Sequence, residues 1–105
     1  MNQAKDKYLR RTYGISLRTF KHMLTVQKGV CWICKNPPKS RALNVDHRHV
    51  PNYTKLTDKE KRKEVRGLLC FRCNVTIGKI EKSKNSRLLL SGIVEYFKRY
   101  PMRDD

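Results

Sequence analysis

The sequence predicts a small α+β domain, and three observations lead to that prediction. Its 105 residues are of the length of one domain, and a chain this short buries a modest share of its surface. Two short apolar runs, residues 43–47 and 65–70, have the pattern of strands and lie between stretches with helical spacing. Hydrophobic residues make up 38% and charged residues 32%, so we expect a thin core that needs a second stabilising feature.

The first third of the chain is expected to be largely helical. Residues 1–15 are basic and predict a short helix or an arm. Ser16 is a suitable N-cap for a helix that runs to about Lys28, with Gly29 just past its end. The apolar face of this helix comprises Leu17, Phe20, Met23 and Leu24.

The two strands are expected to pair antiparallel. In the first strand, Leu43 and Val45 alternate with polar residues and are predicted to face inward. The segment 50–64 between the strands is polar and rich in charge. This composition favours a solvated loop, with one helical turn after Thr57.

Two more helices are predicted after the second strand. One begins close to Cys73 or Asn74 and is broken at residues 83–86. Ser86 is expected to cap the last helix, which Pro101 ends. The apolar residues of that last helix share one face and are Leu89, Ile93, Tyr96, Phe97 and Tyr100.

The charge of the chain predicts a polyanionic partner. Lys and Arg number 25 against 9 Asp and Glu, for a net charge of +16. Nucleic acid is the expected partner, because each neutralised phosphate releases condensed counterions. A membrane surface is the weaker alternative, since no long apolar stretch or lipidation signal is present. The N-terminal residues have no apolar run typical of a secretory signal, so we expect a cytoplasmic protein.

Four cysteines form two CxxC pairs, Cys31 with Cys34 and Cys70 with Cys73. Each pair presents two thiolates at a spacing suited to one zinc ion, and two pairs complete a Cys₄ site. Two disulfides or a redox dithiol are the alternatives, both less expected for an intracellular chain. A zinc ion with four thiolate ligands has no open position, so its predicted role is structural.

No domain boundary is visible in the sequence. Residues 1–105 are therefore predicted to be one domain with three parts. These are a basic N-terminal arm or helix (1–15), a zinc-bound core (16–82), and a C-terminal helix and tail (83–105).

The motifs between and around the cysteines resemble a known superfamily. In order they read YGIS, GVCWIC, LNVDHRH and VRGLLCFRCN. From about Tyr13 to Ile80, the chain is similar to the HNH, or ββα-metal, nucleases, and most closely to the phage recombination endonuclease VII family. This resemblance implies a zinc-bound ββα-metal domain with flanking helices. It also implies a metal-dependent DNA endonuclease that leaves 5′-phosphate and 3′-hydroxyl ends.

The resemblance also assigns roles to individual residues. His47 is the expected general base, because a neutral imidazole can accept a proton from water. Asp46 and Asn74 are the expected ligands of a catalytic Mg²⁺ or Mn²⁺, since such ions favour carboxylate and carbonyl oxygens. His49 is expected to support catalysis or contact a phosphate. Some relatives carry an acidic residue where this chain has Ile77.

DNA is expected to be held through its backbone, with low sequence specificity. Arg48, Arg66 and Arg72 are the predicted contacts, because they flank the expected site. The alternative functions are a non-catalytic zinc-ribbon DNA-binding protein and a nuclease that acts on RNA. Further expectations are phage origin, action in the infected or bacterial host cell, a homodimer, and phage packaging or recombination proteins as partners.

Overall fold

The computed structural model describes residues 2–103 and has an α+β fold, which confirms the predicted class. Its two strands form one antiparallel sheet, as the sequence predicts. The elements follow in the order α1 (Gln3–Tyr13), α2 (Leu17–Val26), β1 (Asn44–His47), a 3₁₀ helix (Tyr53–Lys55), α3 (Asp58–Lys63), β2 (Val65–Leu69), α4 (Phe71–Lys82) and α5 (Ser86–Arg99). In this described part of the chain, no helix combines the length and apolar character needed to span a bilayer.

The chain divides into two compact units, Met1–Asn74 and Val75–Asp105. The first unit contains the sheet, α1 to α3 and the first turn of α4. The second contains the rest of α4 and all of α5, and no described residue of α5 is buried. The division of the chain into parts 1–15, 16–82 and 83–105 stays a prediction.

The carboxylate of Asp6 joins α1 to the start of α2. It accepts the backbone N–H of Leu17 at 2.7 Å and the Nε of Arg10 at 2.8 Å. The backbone donor and the guanidinium both favour the charged form and lower the pKa of Asp6. Residues 1–15 are therefore mostly helix, one of the two predicted alternatives, and this helix is tied to the next.

Helix α2 begins where the sequence predicts. The Oγ of Ser16 accepts the backbone N–H of Thr19 at 3.0 Å, so Ser16 is the N-cap. The helix ends at Val26, two residues before the predicted Lys28. The reason is that Lys28 and Gly29 take left-handed backbone conformations, with φ of +58° and +74°.

The Gln27 side chain occupies the place of a third strand beside β2. Its Nε2 donates to the carbonyl oxygen of Leu68 at 3.0 Å, and its Oε1 accepts the N–H of Leu68 at 2.9 Å. The Nε2 also donates to the carbonyl oxygen of Val30 at 2.9 Å. Because Gln27 and Leu68 are both buried, these bonds satisfy backbone groups that water cannot reach.

The hydrophobic core lies against the sheet. Leu43 and Val45 are both buried, as predicted. The buried apolar residues, cysteines apart, are Leu9, Ile15, Phe20, Leu43, Val45, Leu68 and Leu69. They come from α1, α2, the two strands, the α1–α2 connection (Ile15) and the position before β1 (Leu43), so the core is small and centred on the sheet.

The segment between the strands is mostly exposed, as its charge predicts, but it is more regular than a loop. It contains the 3₁₀ helix and α3, and Thr57 caps α3 through a reciprocal capping box with Glu60. The helical turn predicted after Thr57 is confirmed. Some of its charged residues also bond to backbone oxygens at the end of α1, as described below.

The last two helices begin at different residues from those predicted. Helix α4 begins at Phe71, two residues before the predicted Cys73, because Cys70 provides the first acceptors. Its sulfur accepts the N–H of Cys73 at 3.4 Å, and its carbonyl accepts the N–H of Asn74 at 3.0 Å. Helix α5 is preceded by Asn85 in a left-handed conformation rather than capped by Ser86.

Candidate active site and metal centre

The four cysteines form a compact cluster, here called the cysteine cluster. Their sulfur atoms all lie within 4.8 Å of one another, and the Sγ atoms of Cys34 and Cys70 are 3.9 Å apart. A tetrahedral zinc site with Zn–S bonds near 2.3 Å has sulfurs about 3.8 Å apart. The cysteines can therefore hold a metal ion, and soft thiolate donors fit zinc.

The surroundings of two cysteines affect their ionisation in opposite directions. Burial disfavours the Cys31 thiolate, but backbone N–H groups, including that of Ile33 at 3.4 Å, outweigh it and lower the Cys31 pKa to about 6. Burial and the neighbouring thiols raise the pKa of Cys73 to about 12. A bound cation would reverse the second effect, since metal binding deprotonates its thiol ligands.

A β-bulge lies at the step from Asp46 to His47. Asp46 pairs with Gly67 and His47 with Val65, so Arg66 is the extra residue on β2. Bulges redirect side chains and are common beside active sites. Here the Arg66 guanidinium reaches the Asp46 carboxylate with two bonds, of 2.7 and 3.1 Å.

The His47 imidazole is held on two sides. Its Nδ1 lies 3.2 Å from the carbonyl oxygen of Arg48. Its ring stacks on that of Tyr53, with centroids 4.2 Å apart and planes only 5° from parallel. If Nδ1 carries the proton and donates it to Arg48, the lone pair on Nε2 is left to accept another. This is the tautomer that a general base requires.

Tyr13 lies beside His47. Its ring centroid is 5.8 Å from that of His47. Burial and a hydrogen bond with Tyr8 raise the pKa of the Tyr13 hydroxyl, and the charges of Tyr8, Tyr53 and Asp46 add to the increase. The Tyr13 hydroxyl therefore stays protonated.

Three side chains hold the segment that carries Tyr53 against the end of α1. The Tyr53 hydroxyl donates to the carbonyl oxygen of Thr12 at 2.6 Å. The Lys61 Nζ donates to the carbonyl of Arg11 at 2.7 Å. The last carbonyls of a helix have no partner within it and carry partial negative charge, so they suit such donors.

The third of these donors is Arg62, and its acceptor is Gly14, a residue whose lack of a side chain lets α3 approach closely. Arg62 donates to the carbonyl oxygen of Gly14 at 2.8 Å. Gly14 has a φ of +73°, and a Cβ atom there would lie 2.0 Å from the carbonyl oxygen of Asp58. Only glycine fits this position without displacing the backbone of α3.

Two other residues, His49 and Asn74, were predicted to belong to the site. The His49 ring is 5.3 Å from that of His47, so these two histidines lie together. Asn74 lies on the first turn of α4, directly after the last cysteine, and is half-buried. The meeting of its side chain with Asp46 and His47 stays a prediction. His22 is exposed on α2, as expected for a surface residue.

Asp46 and Asn74, the residues predicted to bind a divalent cation, are partly suited to that role. Arg66 bonds to both oxygens of Asp46, but an ionised carboxylate has about four lone-pair positions. Asp46 therefore keeps lone pairs that a cation could share with Arg66, although its side chain is only 8% exposed, and Asn74 would add an amide oxygen. Among residues 2–103, the cysteine cluster is the one group of three or more His, Cys, Asp or Glu that is suitably placed for a metal.

The arginines predicted to contact DNA have partners within the chain. Arg48 pairs with Glu64, with Nε and Oε1 2.9 Å apart, and Arg66 pairs with Asp46. The Arg48 side chain is 65% exposed, so a phosphate can still reach it. Arg72 is exposed on α4. Their contacts with DNA stay predictions.

Comparison with known proteins identifies the family. The model of the recombination endonuclease VII family matches residues 6–99. The chain belongs to this family. Membership implies a DNA endonuclease, which is a hydrolase, and DNA as the substrate. The match covers the cysteine cluster, the DH pair and Asn74. No curated protein and no solved structure shows significant similarity to the chain.

Tyr13 and Tyr53 are the functional candidates that sequence reasoning missed. Both contact the His47 ring. Tyr13 begins the YGIS motif, but the motif assigns it no role, and Tyr53 belongs to no motif. Tyr53 is 6 residues after His47, in a segment whose charge suggested a loop. Only the docking of that segment on α1 brings the tyrosine to the histidine.

Proposed function

We propose that this endonuclease VII relative is an HNH enzyme that hydrolyses DNA phosphodiester bonds with His47 as the general base. The observation that carries the proposal is the orientation of the His47 ring, fixed by Arg48 and Tyr53. Such fixing lowers the cost of orienting a base in the transition state. The position of His47 directly after Asp46 supports the same assignment.

In the proposed reaction, Nε2 of His47 takes a proton from a water molecule as its oxygen attacks phosphorus. A P–O bond to the water oxygen forms, the P–O bond to the 3′-oxygen breaks, and the 3′-oxygen takes a proton from solvent water. The products carry a 5′-phosphate and a 3′-hydroxyl. Asp46 and Asn74 would hold Mg²⁺ or Mn²⁺, which when bound stabilises negative charge on the phosphate and the leaving oxygen.

The remaining roles follow from this assignment. His49, beside His47, is proposed to contact the phosphate or a water of the cation. Arg66 is proposed to balance the charge of Asp46 until a cation binds. The four cysteines are proposed to hold a structural zinc ion, which ties the end of β2 to α4.

Nicking of supercoiled plasmid with Mg²⁺ or Mn²⁺ tests the proposal. We expect His47→Ala to lower the rate about 10²- to 10⁴-fold, the usual contribution of a general base. His22→Ala is the matched control, because His22 is exposed on α2, and its rate should equal that of the wild type. Zinc content should be the same in all three proteins. Undiminished cutting by His47→Ala would refute the assignment.

The same assay separates the alternatives. If the wild type binds plasmid but never nicks it with either cation, a non-catalytic zinc-ribbon DNA-binding protein is the better description. Cleavage of RNA in preference to DNA would favour an RNA-directed nuclease. Phage origin, a homodimer, and packaging or recombination proteins as partners stay predictions, and sedimentation of the active protein tests the homodimer.

A further inference from the structure

A cavity of about 450 Å³ lies beside the second CxxC pair. This volume falls within the range of roughly 300–1,000 Å³ that is typical of small-molecule sites. The residues that shape it are Pro37, Pro38, Lys39, Arg41, Phe71 and Arg72. Three of its described lining residues are basic and none is acidic, so the cavity suits an anionic ligand.

An exposed aromatic ring forms part of the wall. Phe71 is 52% exposed although it is wholly apolar. The guanidinium carbon of Arg41 lies 4.4 Å from the centroid of its ring. Aromatic rings and guanidinium planes are the two kinds of group on which nucleic-acid bases stack.

We infer that this cavity, here called the Phe71 pocket, binds one unpaired nucleotide of a DNA strand. The base stacks on the layer formed by Phe71 and Arg41, and the phosphate lies near the charges of Lys39 and Arg72. The choice of DNA rests on the proposed function. The combination of a basic groove with a stacking platform is how single strands are held without base readout.

The position of the pocket connects it with the proposed site of cleavage. Phe71 and Asn74 are three residues apart on α4, and residues at this spacing are neighbours on a helix surface. The nucleotide in the Phe71 pocket is therefore close to the proposed cation ligand.

A purely electrostatic role is the main competing explanation for the basic residues. Cys34 and Cys70 also line the cavity, and four thiolates around one Zn²⁺ carry a net charge of −2. Nearby cations would stabilise such a site. This explains the charges of Lys39, Arg41 and Arg72, but it gives no reason for an exposed phenyl ring at the wall of an open cavity.

Binding measurements test the pocket without any cleavage. A fluorescein-labelled 12-nucleotide oligo(dT) and a duplex of equal length are titrated with protein, without added divalent cation, and followed by anisotropy. Phe71→Ala should weaken single-strand binding about 5- to 150-fold, the effect of losing one stacked base. Duplex binding should change less than 2-fold, roughly the limit of the measurement, and Phe71→Trp should restore the single-strand affinity.

The dependence of affinity on salt distinguishes stacking from charge. Phe71→Ala should leave the slope of log K against log[salt] unchanged, because no phosphate contact is lost. Lys39→Gln should reduce that slope by about 0.7, the value for one contact with a single strand. A change of slope in Phe71→Ala, or none in Lys39→Gln, would overturn the inference.

The first CxxC pair supplies a matched control. Trp32 follows the first cysteine of this pair, just as Phe71 follows the first cysteine of the second pair. A basic side chain covers this ring too, because the Lys35 Nζ lies 4.6 Å from the Trp32 ring centroid. Trp32 does not line the Phe71 pocket, so Trp32→Ala should bind oligo(dT) like the wild type. Equal losses in Trp32→Ala and Phe71→Ala would reject the pocket.

Two further measurements keep the result interpretable. Zinc content is measured for every variant, and Phe71→Leu keeps apolar bulk next to the cysteines while removing the aromatic face. It should retain zinc but bind as weakly as Phe71→Ala, and wild-type affinity in Phe71→Leu would reject the inference. Weak oligo(dT) binding by the wild type itself, with normal nicking, would reject the pocket and leave the proposed function standing.

Discussion

The two ends of the β1–β2 hairpin are held in place by different kinds of interaction. At the end where Asn44 pairs with Leu69, the cysteine cluster and Gln27 fix the strands. At the other end, where His47 pairs with Val65, hydrogen bonds to α1 and one aromatic stack are responsible. We therefore expect the cysteine end to determine global stability and the His47 end to determine the precision of the site.

Loss of the metal should have the largest effect and should act from the cysteine end. Structural zinc contributes about 10 kcal/mol or more to the folding of small domains, and the core here is small. Chelation, or Cys31→Ser, should therefore abolish the cooperative unfolding transition seen by circular dichroism. Re-addition of Zn²⁺ should restore the transition in the chelated wild type but not in Cys31→Ser. A chelated chain that still unfolds cooperatively would show that the core suffices.

Replacement of Gln27 should come next, also at the cysteine end. Gln27→Ala leaves the buried N–H of Leu68 without its side-chain acceptor, while the C=O of Leu68 still accepts the N–H of Trp32 at 3.1 Å. A buried group that is left unsatisfied costs about 1–3 kcal/mol. Urea denaturation should show a loss of this size, while zinc content stays the same. Gln27→Glu keeps the acceptor for the Leu68 N–H but loses the donors, so it also tests whether both bonds contribute.

A substitution at Gly14 perturbs the His47 end through the backbone. Gly14→Ala forces a side chain into a left-handed residue and against Asp58. A non-glycine residue in this conformation costs about 1–3 kcal/mol, and the clash adds to it. Hydrogen exchange should speed up in α1 and α3 but remain slow around the cysteine cluster. Uniform acceleration along the whole chain would mean that the two ends are not independent.

The smallest effect on stability is expected at Tyr53, where activity should respond more. Tyr53→Phe keeps the stack on His47 but loses the bond to Thr12, for a cost of about 1 kcal/mol. Tyr53→Leu loses both. We expect kcat to fall in the order wild type, Phe, Leu, with KM nearly constant, because in the proposed mechanism the Tyr53 ring orients His47. A change confined to KM would assign Tyr53 to substrate binding instead.

Local patterns predicted the elements of the fold well, because their causes lie within a few residues. Ser16 was identified as an N-cap, and the alternation of Leu43 and Val45 gave the buried face of β1. The cysteine cluster could be predicted for the same reason, since the CxxC spacing itself presents two ligands. The start of α4 was missed by two residues, because the sulfur of Cys70 accepts the N–H that a conventional cap would take.

The surroundings of the candidate site depend on contacts between distant residues, and these could not be predicted. Arg62 is exposed and Lys61 half-buried, in line with their charge, but Lys61 also bonds to the carbonyl of Arg11 in α1, and Arg62 to that of Gly14 just after α1. Tyr53 reaches His47 only because of that docking. The bulge that brings Arg66 to Asp46 likewise depends on the pairing of two strands.

The docking of the central segment on α1 limits how far the chain can be shortened. A truncated protein beginning at Ile15 would keep every cysteine and the whole DHRH sequence. It would nevertheless lack the carbonyl acceptors of Arg11, Thr12 and Gly14, and with them the anchor for the ring that covers His47. Grafting the hairpin and α4 alone onto another scaffold should therefore transfer the metal centre but not a well-oriented base.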